Sequence, residues 1–451
     1  MSTDAGARGR AGFGRTLGIV LAVLAVLAGA LVAVAAATPP RVSSVAVAPD
    51  SLVARPGQRV VIALDQPVSP EGLAVSVVPD TPVELTADGA SLQVRFERML
   101  DYATEYAITI EGVRSTATGA SGRVQASFRT PDEDVLVLAR GAGGDQVVRA
   151  AATSAAAPAA VYSAQQIGAF ARLGDDLVVV SDEGEGPRVR HLRTGAQPFV
   201  FGGPPDAIYR GLRTAPDGRS FGYLLTSANV GPDATVYDSV LQLVDAATDI
   251  ATEVVAADGR PIPVADWRYI AGTTSILVRS MDQQGYLIDT TGGEPVPLGT
   301  LGTLRGFVPG TATILTDQWP DTLATDLTTG ETARFERPAV PLEGDDALGD
   351  FAALGPDETA QLVHVFETAG GRTSWTSSYL VRTGPEGVAE LFRPAAGMIT
   401  GMCASPNAQL LALTVVEVAT PDAAPLTYIV DSRSGATVRT VTGGQSDWCA
   451  A

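Results

Sequence analysis

Chemistry in this sequence would have to be done with few of the usual groups. The 451 residues include 2 His and 2 Cys. His191 and His364 are far apart, each inside a strand-like run (Val189-Arg-His-Leu-Arg193 and Leu362-Val-His-Val-Phe366). A structural zinc site draws four Cys/His ligands, so the pair reads as surface or strand-face histidines rather than as ligands or catalytic bases. Gly-x-Ser-x-Gly and His-Glu-x-x-His are absent. Three carboxylates form the one remaining constellation. Asp266, Asp350 and Asp447 each precede an aromatic residue (Trp267, Phe351, Trp448), and if they converged they could hold a cation or a polar ligand. The competing reading has such aspartates bonding backbone N–H groups at turns. Asp182-Glu-Gly-Glu-Gly186 lacks the alternating oxygen ligands of a calcium loop and reads as a solvated hairpin. Gly141-Ala-Gly-Gly144 is not followed by a helical pattern, so it does not read as a phosphate cradle. The sequence therefore assigns no catalytic residue, no cofactor and no metal site.

The charge narrows the partners. There are 31 basic and 50 acidic residues, a net charge of -19. Every basic residue is Arg. Nucleic acid is excluded as a partner, because its phosphates need a basic face. An anionic lipid surface is disfavoured for the same reason. The lysine-free, Ala/Gly/Val-rich composition resembles that of a high-GC genome such as an actinobacterium's. At this length two or more independent cores are expected.

The elements that position these residues begin with an apolar segment. Arg8, Arg10 and Arg15 precede it, and no charge interrupts residues 16–40. Some twenty residues at 1.5 Å each cover the ~30 Å hydrocarbon core. Residues 16–37 are thus expected to be a transmembrane signal-anchor. Residues 1–15 would be a cytoplasmic tail, and the C-terminal bulk would lie outside. The alternative is cleavage at Val34-Ala-Ala-Ala37, which would release the same ectodomain.

Residues 42–131 switch to alternating strands: 60–64, 74–78, 91–96, 106–110 and 124–129, with turn signals between them. About seven strands without a helical pattern imply a β-sandwich. Ala63-Leu-Asp-Gln-Pro-Val68, Leu100-Asp-Tyr-Ala-Thr-Glu-Tyr-Ala-Ile-Thr-Ile110 and Ser127-Phe-Arg-Thr130 carry a likeness. On these residues the segment resembles the bacterial Ig-like domain of S-layer and other envelope proteins. That resemblance implies a spacer or adhesion module, with no catalytic residues to transfer. Tyr106 is expected in its core, with its hydroxyl bonded near a turn.

Residues 133–451 repeat with a period near 45, in the range that signals propellers. Ala215-Pro-Asp-Gly218, Gly355-Pro-Asp-Glu358 and Ser405-Pro-Asn-Ala408 are equivalent turns, each followed by an apolar strand. Complete units fall at roughly 165–201, 208–256, 265–299, 303–337, 348–393 and 398–443. Residues 135–163 lack a first strand, and 446–450 read as that strand, which gives a seven-bladed ring closed by the far end of the chain. Through its Pro-Asp-Gly turns the repeat resembles TolB-type and WD40-like propellers. Cys403 and Cys449 would occupy the same place in the first strands of adjacent units, which predicts a disulfide. First strands line a propeller's channel, so Asp266, Asp350 and Asp447 could meet there. Trp319 and Trp375 are expected to fill cores between blades.

The architecture expected is an all-β ectodomain, an Ig-like β-sandwich followed by a seven-bladed β-propeller, behind one transmembrane helix. The function expected is non-enzymatic: an extracytoplasmic binding or scaffold protein in the cell membrane, with an envelope protein or glycan as partner. The alternative is a hydrolase or lyase acting on envelope polymers in the propeller channel. Two scattered histidines offer little for general acid–base work, which favours the binding reading.

Overall fold

A computed structural model of the chain describes residues 16–30, 38–204, 206–227, 237–369, 371–417 and 423–450. Residues 16–30 are helical, with the strong helix formers Leu and Ala recurring through the run. Among the described residues no helix is long and apolar enough to cross a membrane. The expected tail, 1–15, and the last part of the expected anchor, 31–37, lie outside the described residues. The chain divides into two compact units, Met1–Pro131 and Asp132–Ala451.

The first unit is a two-sheet sandwich. Val42–Ala46, Arg59–Leu64, Ser91–Phe96 and Val83–Asp88 form one sheet in that spatial order, and Ala74–Val78, Glu105–Arg114 and Ser121–Arg129 form the other. Period-two alternation turns Val60 and Ile62, Leu92 and Val94, and Ile108 and Ile110 inward, all 1% exposed or less. The sheets meet through aromatic rings: Phe96 lies edge-on to Tyr106 at 6.3 Å and to Phe128 at 6.1 Å. The Tyr106 hydroxyl accepts a hydrogen bond from the Asp101 N–H at 3.0 Å, which fixes the corner entering its strand. The unit also holds a short helix, Pro49–Ala54, which the sequence reading of this region did not anticipate. Its Pro stands in the first turn and it buries Leu52 and Val53. Six residues are too few for a 3.6-residue period to show.

The second unit is a β-propeller of seven four-stranded antiparallel sheets. Blades 2 to 7 span residues 166–200, 208–253, 264–300, 303–334, 347–392 and 398–442. Blade 1 takes three strands from 134–164 and its inner strand from Gly444–Ser446, where Gly444 pairs with Leu138 and Ser446 with Val137. The closing strand thus ends where the expected one, 446–450, was to begin. Asp447–Ala450 forms a 3₁₀ turn instead. Gln445, at φ +57°, and Gly443, at φ +130°, bend the backbone so that only three residues reach the sheet.

Adjacent blades close on apolar side chains. Trp267 of blade 4 is fully buried against blade 3, and its Nε1 donates to the Gly211 carbonyl at 3.0 Å. Gly222 makes room for it, because a Cβ there would stand 2.9 Å from the Trp267 ring and 2.9 Å from the Gln242 carbonyl. The expectation for Trp319 is overturned. It sits in the hairpin between the second and third strands of blade 5, beyond the reach of either neighbouring core, and is 94% exposed. Trp375 is half-buried against His364, 4.4 Å between ring centroids, on its own blade. Trp267→Ala should therefore cost about 3–5 kcal/mol, while Trp319→Ala should stay within about 0.5 kcal/mol of wild type. Denaturant unfolding of the two variants checks this, and equal losses would contradict the assignment of the seam.

Candidate functional site

A propeller offers its first strands to the centre of the ring, and here those strands share a device. Each carries a β-bulge against its second strand: between Ile167 and Ala169, Arg210 and Arg213, Val264 and Asp266, Leu304 and Gly306, Leu348 and Phe351, Ile399 and Gly401, and Gly444 and Ser446. A bulge inserts a residue and re-aims the side chains beyond it. Buried side chains from the preceding blade fix the strand beside it. Asp145 accepts from the Ile167 N–H at 2.9 Å, and Ser378 from the Ile399 N–H at 2.6 Å. The Ser239 hydroxyl donates to the Val264 carbonyl at 2.5 Å.

These bulges separate the three aspartates that the sequence aligned. Asp266 follows its bulge, Asp350 lies within one, and Asp447 stands beyond the closing strand. They do not converge on a shared cation. Each is held by an arginine from the first strand of an adjacent blade. Asp266 lies 3.3 Å from Arg213 and 3.1 Å from Arg268 of its own strand. Asp350 lies 2.5 Å from Arg305. Asp447 lies 3.0 Å from Arg172. Among the described residues no three His, Cys, Asp or Glu side chains gather as a metal-holding group. The arginines were missed in the sequence, although Arg172, Arg213 and Arg305 each fall in a first strand and could have been matched to the acidic positions.

The Asp447 pair sits on the inner side of the ring, beside its closure. The 447–450 turn lies against the first strands of blades 2, 3 and 7 and against the second strand of blade 1. Asp447 accepts from the Leu136 N–H at 2.9 Å, and Arg172 also reaches Glu133 at 2.8 Å. Trp448 is 6% exposed, and its Nε1 donates to the Asp134 carbonyl at 3.3 Å. Cys449 joins Cys403 of blade 7 in a disulfide, Cα to Cα 5.1 Å, from a turn rather than from the expected strand position. Burial raises the Asp447 carboxyl above its ordinary range, more than Arg172 lowers it, and burial raises Glu133 likewise. Aspartates at outer hairpins behave oppositely. Hydrogen bonds from Thr248, Thr291 and Thr328 hold Asp245, Asp289 and Asp326 below their ordinary value.

The histidines also have structural surroundings. His191 is fully buried, so it is no surface residue. Its Nδ1 lies 2.7 Å from Asp249 of blade 3 and its Nε2 3.5 Å from Asp176. Arg193 is the second partner of Asp249, at 2.7 Å. His364 faces Trp375, and burial lowers its pKa. The segment 182–186 is a hairpin in which Asp182 accepts from the Gly184 and Gly186 N–H groups, and Gly141–Gly144 is the hairpin of blade 1.

No protein-family model matches the chain. No curated protein matches it either. Among solved structures it is similar to a dihydro-heme d1 dehydrogenase at 16% identity, covering 69% of this chain and 74% of that one with a TM-score of 0.41. An auxiliary nutrient-binding protein from Bacteroides thetaiotaomicron matches at 12% identity over 84% and 95% of the two chains, TM-score 0.30. A putative TolB from Agrobacterium tumefaciens matches at 14% over 55% and 86%, TM-score 0.34. At such scores these likenesses do not bear on function, and the propeller description stands on the strand pairing itself.

Two outcomes follow for the central pair. Arg172→Met should cost about 3–5 kcal/mol at neutral pH, because it leaves Asp447 buried without its cation. Adding Asp447→Asn should recover much of that loss, and strictly additive losses in chemical unfolding would contradict the pairing. The raised carboxyl also sets a sign. A folded-state pKa above the unfolded 3.8 stabilises fully below 3.8 and loses that stabilisation as pH rises through the folded value. Asp447→Asn should therefore gain stability relative to wild type as pH climbs above about 4. A difference in Tm that does not vary with pH would contradict this.

Proposed function

We propose that this protein is an extracytoplasmic binding or scaffold protein, tethered to the cell membrane through residues 16–37 and presenting its propeller to an envelope protein or glycan. The observation that carries the reading is the commitment of the ring's inner charged groups: the 447–450 turn packs against the first strands of blades 2, 3 and 7, and Asp266, Asp350 and Asp447 are each paired with an arginine. Where a propeller enzyme would keep reacting groups, the 447–450 turn, the Trp448 indole and the Arg172–Asp447 pair stand beside the inner strands of blades 7, 1, 2 and 3. The inner carboxylates are committed to arginines, which turns ligand contact toward the outer seams and faces of the blades and away from the channel.

Two further features support the placement. The disulfide of Cys403 and Cys449 suits an oxidising compartment. The arginines before residue 16 and the uncharged stretch after them suit an anchor with its N-terminus in the cytoplasm. For the sandwich, the bond between the Tyr106 hydroxyl and the backbone five residues upstream is the corner used by Ig-like domains, which supports that reading of 42–131.

Epitope tags at both ends of the full chain test the topology. In spheroplasts the C-terminal tag should be removed by added protease, while the N-terminal tag stays protected in the membrane fraction. Protection of the C-terminal tag would overturn the placement. Recovery of the C-terminal tag in the medium without the N-terminal one would replace the anchor by cleavage near 34–37.

A further inference from the structure

The seams of the ring differ in their packing, from a cluster of twelve buried apolar residues between blades 2 and 3 to four between blades 4 and 5. Nine buried apolar residues cluster between blades 3 and 4, and nine between blades 6 and 7. Between blades 5 and 6 the cluster comprises Val308, Leu315 and Phe335. A cleft of about 160 Å³ lies there instead, lined by Thr322, Phe335, Arg337, Leu348, Thr359, Gln361 and Thr383 among others.

The floor of this cleft is polar and buried. The Thr359 and Thr383 hydroxyls lie 2.7 Å apart, and the two residues are 2% and 1% exposed. Gln361, 2% exposed, donates from Nε2 to the carbonyls of Gly349 at 2.8 Å and Asp350 at 3.1 Å. Its Oε1 is thereby turned to the guanidinium of Arg337, 2.8 Å away.

Arg337 is the distinctive group. Its guanidinium lies on the Phe351 ring at 4.1 Å, and Phe351 stacks on Phe335 at 6.2 Å, so its plane is fixed. The other arginines here are committed: Arg305 to Asp317 and Asp350, both at 2.5 Å, and Arg334 to Asp321 at 3.1 Å. Among the described residues Arg337 has no carboxylate within ion-pair distance, in a chain with 19 more acidic than basic groups. A planar guanidinium held in one orientation is suited to a carboxylate taken by two parallel N–H···O bonds. Phe335, Leu348 and Pro320 supply an apolar wall, and Trp319 adjoins Pro320 with its side chain in solvent.

We propose that this cleft binds a monosaccharide carboxylate, with Arg337 taking the carboxylate, the Thr359–Thr383–Gln361 floor meeting hydroxyl groups, and the Phe335–Leu348 wall meeting the C–H face of the ring. The volume lies below the roughly 300–1,000 Å³ of drug-sized pockets, which suits one small ring. The inference rests on the reading of the protein as an envelope binding protein and names the ligand class for it.

Equilibrium dialysis of the detergent-solubilised full chain against labelled D-glucuronate tests it, with D-glucose as the neutral counterpart. D-Glucuronate should bind saturably, and D-glucose at least tenfold more weakly, the scale of one charged hydrogen-bonded contact. Arg337→Met should weaken D-glucuronate binding at least tenfold. Leu348→Glu, at a half-exposed position, should do the same by bringing a competing negative charge to the cleft without disturbing the core. Absence of saturable D-glucuronate binding by the wild type, equal affinity for both sugars, or undiminished binding by both variants would overturn the proposal. Protease accessibility of the tagged chain does not depend on this cleft, so failure here leaves the placement outside the membrane standing, and failure there leaves a measured D-glucuronate affinity standing.

Discussion

A row of twisted sheets has two open edges unless its ends meet, and the second unit depends on their meeting in seven residues. Gly444–Ser446 supplies the inner strand that 134–164 lacks, and 447–450 turns into the centre. Open strand edges invite pairing with other chains, so the closure removes a hazard as well as completing a sheet. Around it the contacts reinforce one another. Thr427 of blade 7 donates to the Gly443 carbonyl at 2.8 Å, and Arg439 reaches the Ala151 carbonyl of blade 1 at 2.7 Å. The Cys403–Cys449 bond closes a loop with a separation of 46 residues. In the chain-entropy account such a loop is worth about 4 kcal/mol.

Charge is arranged around this closure with arginine alone as the cation. A guanidinium stays protonated when buried and presents several donors at once. Arg172 uses this to hold Asp447, Glu133 and the Asp134 carbonyl together. Arg213, with its side chain 11% exposed, does the equivalent for Asp266 between blades 3 and 4. The excess acid falls elsewhere, notably on the outer hairpins, where Asp245, Asp289, Asp326 and Asp431 each accept bonds from the turn that follows. These hairpins recur because the same hydrogen-bonding solution serves each blade edge.

Much of this architecture is legible in the sequence, for a physical reason. Blades are made by local alternation and by turns with fixed chemistry, and both are written within a few residues. The apolar strand after Ala215-Pro-Asp-Gly218 is Ser220–Ser227 in the structure, and the one after Ser405-Pro-Asn-Ala408 is Leu410–Val416. What is not legible depends on partners distant in the chain. The bulges shift the inner strands by a residue or two, so Asp266, Asp350 and Asp447 look equivalent in sequence and are not in space. His191 has no local sign of Asp249, 58 residues away. Trp319 resembles a core residue by type, and only its place in a hairpin shows otherwise. The cleft between blades 5 and 6 is a deficit of packing, which no single residue announces.

The closing turn and the cleft between blades 5 and 6 lead to one account of the molecule. The closing turn covers the inner strands of blades 7, 1, 2 and 3 and ties up their charged groups, and contact with a ligand is left to the blades. Without 444–450 blade 1 would lack its inner strand, and Asp447 would not meet Arg172. Peptide mapping of the protein as isolated under non-reducing conditions, with free thiols alkylated beforehand, tests this most directly. The account predicts one linked species containing Cys403 and Cys449 and no alkylated cysteine at either position. Recovery of both cysteines in alkylated form would contradict it.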